Sequence, residues 1–351
     1  MMQKRSTTLG HLVGIIGYGK VVGNPDRRIW GVQHPDGSSP DMVTAVWEKR
    51  ILRDLAQDVP VICQPGWIDD DRDRIEVEDP QFAFAKILAF FKAEERPGPP
   101  GIHLTAWVAE SAEISSEAFI GPFCVIGEHC RINPDVVLEA GVFVGKNVEI
   151  GRGTYVEPGV VLYHGTHVGE DCLIRARTVI GCDGFGFLTG RGDEPVKIPQ
   201  LGTVRIGNRV EIGAGSTIDR ATIGETVIGD GTVIDDQVHV GHNARIGKGC
   251  ILVAMTGIAG SAVLEDNVIM AARSGVADHV KVGRGATVAA YGGATRDVPE
   301  KTIVSGFPAR EHFSEMKKQA LLRKLPDLAN KVKQLEKRIK ELEDTCNGKH
   351  S

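Results

Sequence analysis

Beginning at Ile102, every sixth residue is aliphatic. The register runs through Val108, Ile114, Ile120, Ile126, Ile132, Leu138, Val144, Ile150, Val156, Leu162, Val168 and Ile174 to Ile180, fourteen successive positions without a miss. A second run passes through Ile206, Ile212 and Ile218, takes two shortened five-residue steps through Ile223 to Ile228, and continues by sixes from Ile234 to Val288. A period of six matches neither the helical nor the strand repeat. It matches a short strand plus a corner, with three such sides closing one coil of a triangular prism and the aliphatic residues stacked inside. Glycine often follows the aliphatic position, as at Gly127, Gly145, Gly151 and Gly207, and supplies the backbone freedom of a corner. Cys124, Cys130, Cys172 and Cys250 each stand four residues after an aliphatic position, where a small inward side chain fills the core.

The flanks lack this register. Residues 1 to 100 hold an apolar, β-prone stretch at Val59, Val61 and Ile62, a helix expected from Pro80 through Phe91, and a closing linker, Arg96-Pro-Gly-Pro-Pro-Gly101. The expected organisation is a small α/β domain over 1–100, the prism over 101–308 and a helical extension over 309–351. Gly17-Tyr-Gly19-Lys-Val-Val-Gly23 superficially suggests a dinucleotide loop, but its third glycine is misplaced and Asn24-Pro25 stops a following helix. In the extension, Leu321, Leu325, Leu328, Val332, Leu335, Ile339 and Leu342 alternate spacings of four and three, the seam of a coiled coil or helical hairpin. Pro326 suits the first turn of a new helix, so two helices are expected there. A short seam beside a triangular prism favours a homotrimer. Lys317, Lys318, Arg323, Lys324, Lys331, Lys333, Lys337, Arg338 and Lys340 make this segment basic; a solvated face is the plainer reading, docking of an acidic carrier protein the sharper one.

Composition narrows the function. A net charge of −5 argues against a nucleic-acid partner. The absence of a run of roughly 20 apolar residues argues against a transmembrane segment. With no signal-peptide core at the start, the expected location is cytoplasmic. Seven cysteines without a CxxC pair indicate neither a zinc knuckle nor a disulfide framework, and neither a metal nor a cofactor is expected.

Polar residues that interrupt the aliphatic pattern are the candidates for chemistry. They cluster at Asp219-Arg220 and Asp235-Asp-Gln-Val-His-Val-Gly-His-Asn243. His242 falls outside the inward register, and a histidine near its ordinary pKa of about 6.5 can accept a proton at neutral pH. A lone surface histidine is commonly idle; His239, Asp235 and His279 give this one company. The break between Ile180 and Ile206 carries Asp183-Gly-Phe-Gly-Phe187 and Lys197-Ile-Pro-Gln200, and Phe185 and Phe187 could cover an acyl or pantetheine chain or pack on the prism.

These segments, with Thr217-Ile-Asp-Arg-Ala221 and His279, follow in the order seen in the UDP-3-O-acylglucosamine N-acyltransferase family of lipid A synthesis, which the chain resembles over about residues 100–345. The resemblance implies a mainly β fold, a left-handed parallel β-helix with a small N-terminal α/β domain and C-terminal α-helices. It implies transfer of an (R)-3-hydroxyacyl group, carried on the phosphopantetheine of acyl carrier protein, to the 2-amino group of UDP-3-O-(3-hydroxyacyl)-α-D-glucosamine. His242 matches the catalytic base, Asp235 its orienting group and His279 an assistant across the interface, while an amide near Gly260 would hold the oxyanion. Asp183, Phe185, Phe187, Lys197, Gln200, Asp219, Arg220, Gln237, His239 and Asn243 are the implied substrate contacts. The N-terminal domain departs from the family's uridine-binding pattern, reading Asp41-Met-Val-Thr-Ala-Val-Trp47. The competing expectations are another hexapeptide-repeat acyltransferase, a zinc carbonic-anhydrase-like enzyme built on His239, His242 and His279, and a non-catalytic trimeric binding module.

Overall fold

A computed structural model describes residues 6–92, 98–188, 194–306 and 312–347, and the chain divides into two compact units, Met1–Arg96 and Pro97–Ser351. Arg96 and Pro97 of the expected linker lie outside the described residues.

In the first unit, helix α1 (Leu9–Ile16) starts where Thr8 accepts a hydrogen bond from the His11 N–H and ends at Gly17, whose φ of 86° closes it. The glycine cluster therefore terminates a helix rather than opening one, the reverse of a dinucleotide loop. Helix α2 (Pro80–Phe91) spans the expected residues, with Pro80 in its first turn and Asp79 accepting from the Phe82 N–H. A five-stranded mixed sheet orders Lys20–Val22, Arg74–Glu76, Val61–Cys63, Met42–Ala45 and Gly31–Val32. Leu9, Leu12, Ile16, Ile62, Ile75, Ala83 and Ile87 are buried together as its core.

The second unit is mainly a left-handed parallel β-helix. Three parallel sheets of 11, 10 and 9 short strands form its faces. The first face stacks Ile120 on Leu138 and Val156 on Ile174, the second Ile126 on Val144, the third Ile132 on Ile150. Nearly every residue of the six-residue register from Ile120 onward is buried, each such side chain contributing roughly 1.5–3 kcal/mol of burial free energy. The four inward cysteines are buried with them, and Cys130 Sγ lies 2.8 Å from the Gly145 carbonyl of the next coil.

Two steps exceed six residues, and both pass from the second face to the third. Ile180 and Ile206 lie on those faces with residues 181–205 between them. One coil later, Ile218 on the second face is followed by Ile228 on the third. Ile223 is 78% exposed, so the expected pair of five-residue steps is instead one ten-residue step. Its end is held by Thr203–Ile206 pairing with Glu225–Ile228 over four residues. The two insertions thus leave the same prism corner on successive coils.

Beyond the prism, α3 (His312–Asn347) is one helix with Pro326 inside it. The expected break at Pro326 does not occur. An uninterrupted helix keeps Leu321, Leu325, Leu328, Val332 and Leu335 in one stripe, which a break would divide. No helix among the described residues is long and apolar enough to cross a membrane.

Candidate functional site

The corner that bears both insertions also carries His242, two residues after the inward Val240 of the second face. Its imidazole is half-buried between two glycines. A methyl group built at Gly260 would stand 2.6 Å from His242 Nε2, and one built at Gly184 would stand 2.8 Å from His242 Cβ. Only residues without a Cβ leave room for this ring. Gly184 comes from the first insertion, which leaves this corner two coils before His242, and Gly260 from the coil after His242, so the insertion reaches past an intervening coil to close the slot.

The ring's Nδ1 lies 3.3 Å from Asn243 Oδ1. Asn243 is tied to the second insertion: its Oδ1 accepts from the Thr222 N–H at 2.9 Å, its Nδ2 donates to the Ile223 carbonyl at 3.0 Å, and its N–H donates to Thr226 Oγ1 at 2.9 Å. Thr222 Oγ1 donates in turn to Gln200 Oε1, and Gln200 Nε2 donates to the Ile198 carbonyl. Gln200 is buried and both ends of its amide are engaged, so it cross-links the insertions rather than presenting itself to solvent.

Asp219, only 6% exposed, stands at the base of the second insertion. Its Oδ1 accepts from Cys182 Sγ at 3.3 Å and its Oδ2 lies 3.6 Å from His239 Nε2. Burial raises the Asp219 carboxyl above the usual carboxylate range, partly offset by the positive fields of His239 and His242. Burial, together with Asp219, pushes the Cys182 thiol up to about 12. On its other side, His239 Nδ1 meets Thr217 Oγ1 at 2.8 Å. Cys182 was not among the residues singled out for chemistry; its position outside the core register was the available signal.

Arg220 is buried and spends its guanidinium on the carbonyls of Gly181 and His164, each at 2.7 Å, bracing the first insertion's root. Lys197 and Asp183 pair across that insertion at 3.0 Å. Phe185 is 84% exposed, and its ring lies 5.2 Å from that of Phe187. Such an exposed aromatic pair is a surface available to an apolar chain.

Three of the expected residues stand elsewhere on the prism. Asp235 and Gln237 follow Ile234 at the corner between the first and second faces. There the Asp235 carboxylate accepts from the N–H groups of Asp236 and Ala254, so within one chain it does not orient His242. His279 shares the His242 corner two coils farther along, about 10 Å away at the usual strand spacing. Gly260 N–H donates to no acceptor among the described residues, whereas the equivalent Ala214, Lys248 and Ala254 N–H groups each meet a carboxylate. Among those residues no three His, Cys, Asp or Glu side chains converge as metal ligands.

In the N-terminal unit a second concavity of about 560 Å³ is lined by Gln33, His34, Thr44, Trp47, Phe84 and Leu88, among others. Thr44 Oγ1 is buried without a hydrogen-bond partner among the described residues.

Comparison with known proteins brings three likenesses. The bacterial transferase hexapeptide family, defined on six repeats, matches residues 147–182 and 225–260. UDP-3-O-acylglucosamine N-acyltransferase 1 of Gloeobacter violaceus is 36% identical over 97% of both chains, and the UDP-3-O-acylglucosamine N-acyltransferase of Syntrophus aciditrophicus is 39% identical over 93% of this chain and 90% of its own. Among solved structures, the UDP-N-acetylglucosamine acyltransferase of Arabidopsis superposes with a TM-score of 0.53 at 28% identity, covering 59% of this chain and 71% of its own.

Proposed function

The chain belongs to the UDP-3-O-acylglucosamine N-acyltransferase family and is an N-acyltransferase, and from that premise we propose that it transfers an (R)-3-hydroxyacyl group from acyl carrier protein to the 2-amino group of UDP-3-O-(3-hydroxyacyl)-α-D-glucosamine, with His242 as the base. The observation that carries this reading is the His242 imidazole in its glycine slot, at the corner from which both insertions emerge.

The amine nitrogen attacks the thioester carbonyl and His242 Nε2 takes the proton released. The Gly260 N–H, free of any acceptor among the described residues, supplies a donor for the oxyanion. Collapse of the tetrahedral intermediate breaks the carbon–sulfur bond, and the departing thiolate receives the proton from the imidazolium. A general base of this kind contributes roughly 10²- to 10⁴-fold. Phe185 and Phe187 offer the acyl or pantetheine chain an apolar cover, and the Lys197–Asp183 pair offers polar contacts beside it.

In a homotrimer, Asp235 and Gln237 would act from a neighbouring subunit, because the prism separates their corner from that of His242 in their own chain, and His279 would assist across the interface. The exposed stripe of α3 supports that assembly, and its basic residues suit an acidic carrier protein. The cavity beside Trp47 suits uridine, with the ring available for stacking and Thr44 Oγ1 for a hydrogen bond.

The deciding assay is N-acylation of the UDP-acylglucosamine acceptor with a panel of 3-hydroxyacyl carrier proteins, comparing the intact protein with His242→Ala. Turnover reduced about 10²-fold or more in the variant is expected. Full activity without His242 would overturn the assignment of the base, and no turnover by the intact protein with any donor would overturn the reaction.

A further inference from the structure

Asn243 stands next to His242 in sequence, and its role follows from which of its amide atoms faces which neighbour. A backbone N–H can only donate and a backbone carbonyl can only accept. Thr222 N–H points at one end of the Asn243 amide and the Ile223 carbonyl at the other, at 2.9 and 3.0 Å. Rotating the amide by half a turn would set NH₂ against N–H and oxygen against oxygen. The orientation is therefore fixed by the chain, with Oδ1 toward Thr222.

That same oxygen lies 3.3 Å from His242 Nδ1. An oxygen that only accepts, facing a ring nitrogen, favours the tautomer with the hydrogen on that nitrogen. Neutral His242 then carries its proton on Nδ1 and a lone pair on Nε2, beside Gly260, where no side chain blocks approach. Asn243 itself holds a corner conformation, φ 59°, that asparagine tolerates better than most residues.

We propose that Asn243 is a positioning residue that sets the tautomer of His242, and that the second insertion exists in part to lock the Asn243 amide. The insertion supplies all three of its partners, Thr222, Ile223 and Thr226. Gln200 ties the first insertion to the same network through Thr222, so both insertions bear on one ring nitrogen. This reassigns Asn243 from a substrate contact to the support of the base, and it rests on the reading of His242 as that base.

The test uses the full-length protein with ¹⁵N-labelled histidine. The His242 signal is identified by its loss in His242→Gln, and its two nitrogen shifts report which one bears hydrogen. An Nδ1–H tautomer is expected in the wild-type protein. Asn243→Gly tolerates the positive φ but removes the acceptor; it should mix the tautomers and lower kcat roughly 10-fold or more with KM little changed. Asn243→Asp keeps an acceptor toward Nδ1 and should recover the Nδ1–H tautomer, while its second oxygen gives up the hydrogen bond to the Ile223 carbonyl.

A wild-type spectrum with hydrogen on Nε2 overturns the proposal whatever the activity. So does Asn243→Gly that keeps both the tautomer and kcat. An Nδ1–H tautomer that Asn243→Gly loses, in a protein without acyltransferase turnover, upholds the positioning role and removes only the reading of the reaction.

Discussion

Asp219 Oδ2 lies 3.6 Å from His239 Nε2 at the base of the second insertion, and the carboxylate is almost wholly enclosed. Burial raises its pKa despite the nearby histidines. The folded protein therefore holds that proton more tightly than the unfolded chain. The stability tied to it is complete below the ordinary carboxylate pKa of about 3.9 and is lost as pH rises through the raised folded value. Asp219→Asn should remove this component. Urea midpoints measured from pH 3 upward should show the wild type losing stability relative to the variant across that window; parallel profiles would sink the assignment.

Cys182 follows from the same carboxylate. With its thiol pushed up to about 12, its thiolate population near neutral pH should be about 10³-fold below that of a thiol at the ordinary 9.0. Iodoacetamide labelling followed by peptide mapping should find Cys182 slow to react in the wild type. In Asp219→Asn it should react faster, because one cause of the raised value is gone. Equal rates in the two proteins would show that Asp219 does not govern the thiol.

Gly260→Ala and Gly184→Ala test the slot from opposite sides. Each added methyl would crowd His242, at 2.6 Å from Nε2 for Gly260 and at 2.8 Å from Cβ and 3.0 Å from Cδ2 for Gly184, so the side chain must shift. Both variants should fold, since neither position belongs to the prism's aliphatic core, and each should lose N-acylation about 10²-fold if displacing the ring removes the general base. Thermal midpoints close to wild type with activity retained would mean that the slot does not hold the ring in its working position.

Pro326 sits inside a continuous exposed helix, where proline removes one hydrogen bond and crowds the preceding turn at a cost of about 3 kcal/mol. Pro326→Ala should raise the helical ellipticity and the melting temperature of the C-terminal segment. Lower helicity in the variant would favour two helices separated at that point.

The prism was legible because burial enforces its register at nearly every coil. Nearly every position of the six-residue register takes a buried aliphatic side chain, and a period repeated that often survives local exceptions. Ile223 misled because two steps of five sum to the ten residues between Ile218 and Ile228, and sequence spacing carries no information about a chain that leaves the prism and returns. Pro326 misled in the opposite sense: local propensity favoured a break, but the apolar stripe runs straight through. The family motifs brought His242, Asn243, Asp219 and Gln200 to notice as a group. They did not separate the residues that hold the ring from those exposed to a substrate, because that division depends on which corner of the prism each one reaches. Asp235 is paired with His242 by the family resemblance, and a turn of one face places the two at different corners of a single chain.

The two insertions also solve a counting problem. A solenoid whose layers are nearly identical has a translational degeneracy: sliding one segment by a whole coil still sets aliphatic on aliphatic, so mispaired stacks differ little in core energy. The 181–205 and 219–227 excursions occur once each and interlock through Gly202 with Ala221 and through Gln200 with Thr222. A slip anywhere across them would leave that latch unmatched. The segment that gathers the chemistry thereby also works as an index mark for the whole stack, fixing which coil lies on which.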